Sequence, residues 1–155
     1  MSRRPTILIS SSQKALRLPR RRLERLIRFV AASEGASLAM VDLAVVGSGE
    51  IASVNRRFLS HTGATDVISF DLSEGPGRGL CVQLVVCADL ALRQGPLHGL
   101  RPQHELMLYV IHGLLHMMGY EDSTVRGGAR MHARQDELLR GFLRNGRQQA
   151  LGTRH

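Results

Sequence analysis

The chain has 155 residues, a length that fits one globular domain better than two. Hydrophobic residues make up 43% of the chain and charged residues 22%, and this composition excludes an intrinsically disordered or membrane-spanning protein. The 21 Lys and Arg residues outnumber the 13 Asp and Glu residues, and only Lys14 is a lysine. Because guanidinium groups bind phosphate oxygens in bidentate fashion, a net charge of +8 makes nucleic acid the first partner to expect, with an arginine-rich solvated surface as an equal alternative.

The first half of the chain alternates strand and helix patterns. Residues 6–9 are rich in β-formers and predict a strand, and apolar residues at helical spacing then predict a helix over 19–34 that ends at Gly35. Five arginines between residues 20 and 28 occupy the outer face of this helix, which either follows a phosphate backbone or is simply solvated. A second strand at 37–46 follows, and then a short helix whose predicted apolar stripe is Ile51, Val54, Phe58 and Leu59.

Two further strand patterns, 65–70 and 80–87, flank the Gly- and Pro-rich segment 74–79. This segment is the strongest turn signal in the chain, so the two strands are predicted to form an antiparallel pair. A short helix is predicted to follow Asp89 and to end where Gly95-Pro96 interrupts the helical pattern.

The remaining chain is helical in pattern. Pro102 suits the first turn of a long helix over 102–118, and Gly119 suits its left-handed cap. The order β-α-β-α-β-β-α-α-α therefore predicts a single α+β domain, in which helices pack on a small mixed sheet with one antiparallel strand pair. We place this domain at residues 1–144, with a last helix at 123–144, and assign residues 145–155 to a frayed polar tail.

Cys81 and Cys87 lie six residues apart in one predicted strand, about 20 Å along it, which is too far for a disulfide bond. Both are therefore expected to be buried free thiols in a reducing compartment. The N-terminal apolar run is too short for a signal peptide, and no later run approaches the roughly 20 apolar residues of a membrane-spanning helix. The sequence predicts a soluble cytoplasmic protein.

The chemistry of the chain is concentrated at the end of the long predicted helix. His112 and His116 are one helical turn apart among Leu, Met, Val and Ile residues, so both imidazoles project from one face and can chelate one ion. A reversal of the chain at Gly119 can bring Asp122 toward the same ion. Three such ligands leave one tetrahedral position open, as in a catalytic zinc site, while the alternative is a pair of hydrogen-bonded core or surface histidines.

Gly113 stands where a zinc protease of the His-Glu-x-x-His type carries its general base. Peptide hydrolysis by that scheme has no proton acceptor here. An ion can still neutralise charge on a phosphoryl oxygen, and the basic composition favours phosphodiester cleavage.

Three segments, 112–122, 65–70 and Val54-Asn55, carry a resemblance to a known family. They correspond in order and spacing to a His-Gly-x-Leu-His-Leu-x-Gly-Tyr-Asp-His stretch, a Thr-Asp-Val-Leu-Ser-Phe strand and a Leu-Asn helix. The chain thus resembles the YbeY endoribonucleases, also described as ribosomal RNA maturation factors, from about residue 38 to residue 143.

The resemblance implies one Zn²⁺ ion on His112 and His116, with Asp122 at the position of the family's third histidine. It further implies a single-strand-preferring endoribonuclease that matures the 3′ end of small-subunit ribosomal RNA and takes part in ribosome quality control. The implied partners are ribosomal RNA and the small ribosomal subunit. The Asp122 carboxylate adds a negative charge that a three-histidine site lacks.

Two further positions depart from the family pattern. Leu59 occupies a position where many members carry an arginine that is thought to bind or cleave RNA, and Arg56 and Arg57, one turn earlier, are the candidate replacements. Residues 82–83 are Val-Gln where members usually show Gly-Asp or Gly-Glu.

Four polar residues have weaker functional interpretations. His61 can contact RNA or face solvent, and Asp66 can act as a base or form local hydrogen bonds. Glu121 is a general base or a solvated turn residue, and His132 supports the site or lies on the surface. Two rival functions also stay open. One is a ribosome-associated RNA-binding factor with a structural zinc, and the other is a metalloprotease.

Overall fold

The computed structural model describes residues 4–59, 65–75 and 77–152, with backbone alone for residues 147–152. The observed element order is the predicted one. The elements are β1 (Thr6–Ser11), α1 (Arg20–Glu34), β2 (Leu38–Val46), α2 (Ser48–Leu59), β3 (Val67–Asp71), β4 (Leu80–Cys87), α3 (Ala88–Leu97), α4 (Pro102–Met117) and α5 (Val125–Gly152).

The four strands form one mixed sheet in the order β1-β2-β4-β3. β1, β2 and β4 are parallel, while β3 pairs antiparallel with β4 across the Gly-rich turn, as the sequence predicts. Alternate side chains of the strands point to opposite faces, so the sheet has two buried surfaces. The larger surface includes Leu43 and Leu84 and packs under α1, α4 and α5, while the smaller surface includes Val85 and packs against Ile51 of α2.

Helix α4 is the central helix of the larger layer. It contacts α1, α3, α5, β3 and β4, and its residues are buried around most of its circumference. Six of its apolar side chains are no more than 1% exposed, namely Leu106, Met107, Val110, Ile111, Leu114 and Leu115. The polar side chains of this helix therefore reach solvent toward its two ends, Gln103 and His104 in the first turn and His112 and His116 in the last two turns.

Three of the helices differ from the sequence prediction. α3 continues through Gly95 and Pro96, because Pro96 is next to the last residue of the helix and its missing N–H removes only one helical hydrogen bond. α5 continues to Gly152, so the backbone of residues 145–152 is helical rather than frayed. Phe58 is 64% exposed and Leu59 is 43% exposed, so the apolar stripe predicted for α2 is wrong at its C-terminal end.

The two cysteines are free thiols, as expected, but only Cys87 is buried, and Cys81 is half-buried. Across the described residues, no helix combines the length and the apolar character that crossing a bilayer requires.

Candidate active site

The end of α4 sets the position of the candidate site. The N–H groups of Met118 and Tyr120 donate to the carbonyls of Leu114 and Leu115 at 2.9 and 3.0 Å, which closes the helix. Gly119 then adopts a φ of 106°, a conformation that side chains with a Cβ rarely adopt. The chain reverses at this residue, as the sequence predicts.

The reversal returns Asp122 to the histidine at the centre of the site. Nε2 of His112 lies 4.0 Å from Oδ2 of Asp122, with the two side chains 29% and 56% exposed. His116 is exposed at the last turn of α4. In the part of the chain that the structure describes, no three His, Cys, Asp or Glu side chains are gathered closely enough to hold a metal ion. The structure thus brings His112 and Asp122 together, and the three-ligand zinc site stays a prediction.

A residue that the sequence did not reveal, Gln135, orients His112. Its amide oxygen lies 2.5 Å from Nδ1 of His112, and Gln135 is only 6% exposed. An amide oxygen accepts hydrogen bonds only, so Nδ1 carries the proton and donates it, which leaves the Nε2 lone pair toward Asp122. Metal-binding histidines show this arrangement, in which one ring nitrogen donates to an oxygen and the other binds the ion. The donor chemistry of His112 therefore fits zinc.

The signal for Gln135 is present in the sequence, although it is weak. It lies four residues after Met131 and three before Leu138, and both of these apolar residues are buried. A polar side chain in the apolar stripe of a helix needs a hydrogen-bonding partner, and in this protein the partner lies across the interface between α4 and α5.

A hydrogen-bonded group at the end of α1 holds the turn after α4. The hydroxyl of Tyr120 donates to Oε2 of Glu34 at 2.8 Å, and Nε of Arg134 donates to Oε1 of the same carboxylate at 2.5 Å. Burial, and then the hydrogen bond to Glu34, raises the pKa of Tyr120, while the hydrogen bond to Glu34 raises the pKa of Arg134. The turn between His116 and Asp122 is thereby tied to both α1 and α5.

Two glycines allow the close packing of the site. A Cβ on Gly113 would lie 2.9 Å from Cδ2 of Leu84 in the sheet, so position 113 has no room for a side chain and faces away from the turn. A Cβ on Gly127 would lie 2.4 Å from the carbonyl oxygen of Glu121, so the turn rests directly on the first turn of α5.

The remaining predicted residues lie apart from this centre. Arg56 and Arg57 are exposed on the last turn of α2, on the opposite face of the sheet from α4, and the guanidinium of Arg57 lies 5.9 Å from the ring centroid of Phe58. The structure does not bring these arginines to His112. Asp66 bonds locally, with its carboxylate accepting the N–H of Val67 at 2.8 Å.

Of the weaker candidates, Glu121 and His132 are exposed, and His61 lies outside the described residues. Glu121 belongs to the turn and is next to Asp122 in the sequence, while His132 lies on α5.

The fold and the site together define a small α+β protein whose candidate active site lies at the C-terminal end of a central buried helix. The family model "Endoribonuclease YbeY" matches residues 8–143. The chain belongs to this endoribonuclease family.

Individual relatives agree with the family match. The chain is 35% identical over 128 residues to an endoribonuclease YbeY of Macrococcus caseolyticus, a match that covers 77% of this chain and 83% of that protein. It is 32% identical over 128 residues to an endoribonuclease YbeY of Salinibacter ruber, with 78% and 82% of the two chains covered. The solution structure of TM1509 from Thermotoga maritima has the same fold, with a TM-score of 0.62, 24% identity and 93% of each chain covered.

Proposed function

We propose that the protein is a zinc-dependent endoribonuclease of single-stranded RNA, with one zinc ion held by His112, His116 and Asp122. The observation that carries the proposal is the hydrogen bond from Nδ1 of His112 to Gln135, since it directs the Nε2 lone pair toward Asp122. The family membership supports RNA as the substrate. The net charge of +8 suits a polyanion.

Each residue of the proposed site has a chemical task. Bound zinc supplies Lewis acidity toward a phosphoryl oxygen. Nδ1 of His112 donates its hydrogen bond to the Gln135 oxygen, which fixes the orientation of the ring and leaves the Nε2 lone pair available to an ion. Glu121, exposed next to Asp122, is available to accept a proton from an attacking water molecule. We assign to the exposed Arg56 and Arg57 a contact with the RNA backbone at a distance from the zinc site.

The cellular role follows the family resemblance. We propose that the substrate is ribosomal RNA, that cleavage matures the 3′ end of small-subunit RNA, and that the enzyme serves ribosome quality control in the cytoplasm. The rival protease scheme is disfavoured by the packing at Gly113, because a Glu there would have to enter the sheet rather than the site.

The test combines metal content with cleavage. Purified wild type and His116→Ala are compared for zinc stoichiometry, for cleavage of total ribosomal RNA and for far-UV circular dichroism. We expect about one zinc per wild-type chain. We further expect cleavage that disappears in a folded His116→Ala variant. Zinc with no cleavage in either protein would favour an RNA-binding factor, and a metal-free wild type that still cleaves RNA would contradict the zinc site.

A further inference from the structure

A cavity of about 500 Å³ adjoins the candidate site. One wall is the turn of residues 118–121, which joins His116 to Asp122, and the opposite wall is the first two turns of α5. Its volume falls within the range of small-molecule sites, roughly 300 to 1,000 Å³. The three proposed zinc ligands do not line this cavity, and the turn of residues 118–121 connects the cavity to them.

Two arginines give the cavity its charge. Arg126 and Arg130 lie one helical turn apart on α5, both line the cavity, and both are exposed. Neither takes part in an ion pair among the described residues, whereas Arg28 and Arg134 are paired with carboxylates. The lining includes one carboxylate, that of Glu121, so the cavity has two cationic groups for one anionic group.

The chemistry of this wall fits a phosphate. Guanidinium groups present paired N–H donors that match phosphate oxygens, and residues four apart on a helix reach toward the same ligand. The Glu121 carboxylate repels a phosphate placed beside it but can accept a hydrogen bond from a base amino group. The arrangement thus suits a nucleotide whose phosphate lies on the α5 side and whose base lies toward the turn.

We propose that this cavity is a subsite for a nucleotide of the RNA strand that flanks the candidate site, with Arg126 and Arg130 holding its phosphate. This inference rests on the proposed ribonuclease function.

The chain offers a matched control for the test. Arg140 and Arg144 lie on the same helix with the same four-residue spacing, are also exposed, and have no ion pair among the residues described. With Glu137 they line a second cavity, of about 550 Å³, that does not include the turn after α4, so the control isolates the position of the pair. They lie about 21 Å along α5 from the proposed pair, since an α-helix rises 1.5 Å per residue. Replacing either pair by glutamine removes the same charge and keeps helix-forming side chains.

The experiment measures binding separately from cleavage. Zinc-loaded wild type, Arg126→Gln/Arg130→Gln and Arg140→Gln/Arg144→Gln are titrated with a fluorescent, 2′-O-methylated single-stranded RNA over a range of salt concentrations. We expect the first pair of substitutions to weaken binding about tenfold and to reduce the logarithmic salt slope by about 0.7, because one phosphate contact is lost. The control pair should change affinity by less than about threefold, through long-range charge alone.

The outcomes separate this inference from the function on which it rests. Equal weakening by the two pairs, with wild-type cleavage intact, would overturn the subsite and leave the ribonuclease in place. A wild type that neither binds nor cleaves RNA would overturn both. Circular dichroism checks the fold, and Arg126→Lys/Arg130→Lys, which keeps the charges but loses the planar donors, should bind between wild type and the glutamine variant.

Discussion

Gly127 and Gly128 are neighbouring residues of α5 that differ in how closely they pack against the turn after α4. A Cβ on Gly127 would meet the Glu121 carbonyl at 2.4 Å and the Thr124 hydroxyl at 2.8 Å, while a Cβ on Gly128 would meet only the Asp122 carbonyl at 3.8 Å. A distance below 3 Å to backbone requires the turn to move, whereas 3.8 Å is an ordinary contact. The turn that bears Asp122 is therefore seated on α5 through one particular glycine.

The pair gives a prediction about stability. Gly128→Ala should stabilise the protein by up to about 1 kcal/mol, because alanine favours the helix. Gly127→Ala should destabilise the protein by about 1 to 3 kcal/mol despite the same gain in helix propensity, because the added Cβ displaces the turn. Urea denaturation of the two variants measures both values. Equal effects from the two substitutions would show that the turn does not rest on Gly127.

Gln135 acts on the site through one hydrogen bond to His112. Gln135→Met removes the acceptor and keeps a side chain of similar length, so Nδ1 of His112 loses its partner. We expect zinc affinity to fall about 10- to 100-fold, the usual effect of removing such a support. Gln135→Glu keeps an acceptor oxygen and should retain zinc binding.

Two measurements check the role of Gln135. Competition with a zinc chelator gives the affinities, and nitrogen NMR of the metal-free protein reports which ring nitrogen of His112 carries the proton. The proton should stay on Nδ1 in wild type and in Gln135→Glu and should be shared between the nitrogens in Gln135→Met. Wild-type affinity in a folded Gln135→Met would refute the orienting role.

At the scale of elements, the turn after α4 joins three helices, because Tyr120 and Arg134 share the carboxylate of Glu34 at the end of α1. None of the three residues is expected to bind zinc. Their hydrogen bonds restrict the turn on which Asp122 lies, and this restriction makes the turn sensitive to the protonation of Tyr120.

Tyr120→Phe should destabilise the protein by about 1 kcal/mol near neutral pH, because one hydrogen bond to the turn is lost. The folded-state pKa of Tyr120 is raised, so the contribution of its protonated hydroxyl is fully present below the unfolded value of about 10 and declines as the pH rises through the folded value. Denaturation of both proteins at about pH 7, 9 and 10.5 measures the difference. A difference that grows with pH would contradict this assignment.

The elements of this fold differ in how far the sequence determines them. Pro102 begins α4 because its ring fixes φ, and Gly119 ends it because glycine tolerates a positive φ. The alternation on both sides of the Gly-rich turn predicts the β3–β4 pair. The end of α3 depends on how Gly95 packs against the backbone of Leu100, a contact five residues along the chain that the helix-breaking residue types alone do not reveal. Local patterns therefore predicted the elements, while their less regular ends required the packed structure.

The residues of the candidate site also differ in how far the sequence predicts them. The spacing of His112 and His116 and the reversal at Gly119 are local, so they could be predicted, and the structure places Asp122 near His112. Gln135 is 23 residues away from His112, and no local pattern relates the two. The proposed zinc ligands were visible in the sequence, whereas the contact of Gln135 with His112 became evident only when the helices were packed.

At the scale of the whole molecule, the core does not depend on the site. The main core joins α1, α4, α5 and one face of the sheet through aliphatic side chains, and His112 and His116 are not among its members. A chain of this size buries about two thirds of its surface on folding. The protein should therefore fold without zinc, which distinguishes a catalytic ion from a structural one.

This independence predicts the response to metal removal. Zinc at about 100 times its dissociation constant stabilises the folded state by about 2.7 kcal/mol, so chelation should lower Tm by roughly 5 to 11 °C while unfolding stays cooperative. Calorimetry of the loaded and chelated protein, with His116→Ala as the control that should not respond to chelator, measures this shift. Loss of the cooperative transition on chelation would show that the fold requires the ion. An aliphatic core that does not depend on the histidines should stay folded when zinc alone is removed.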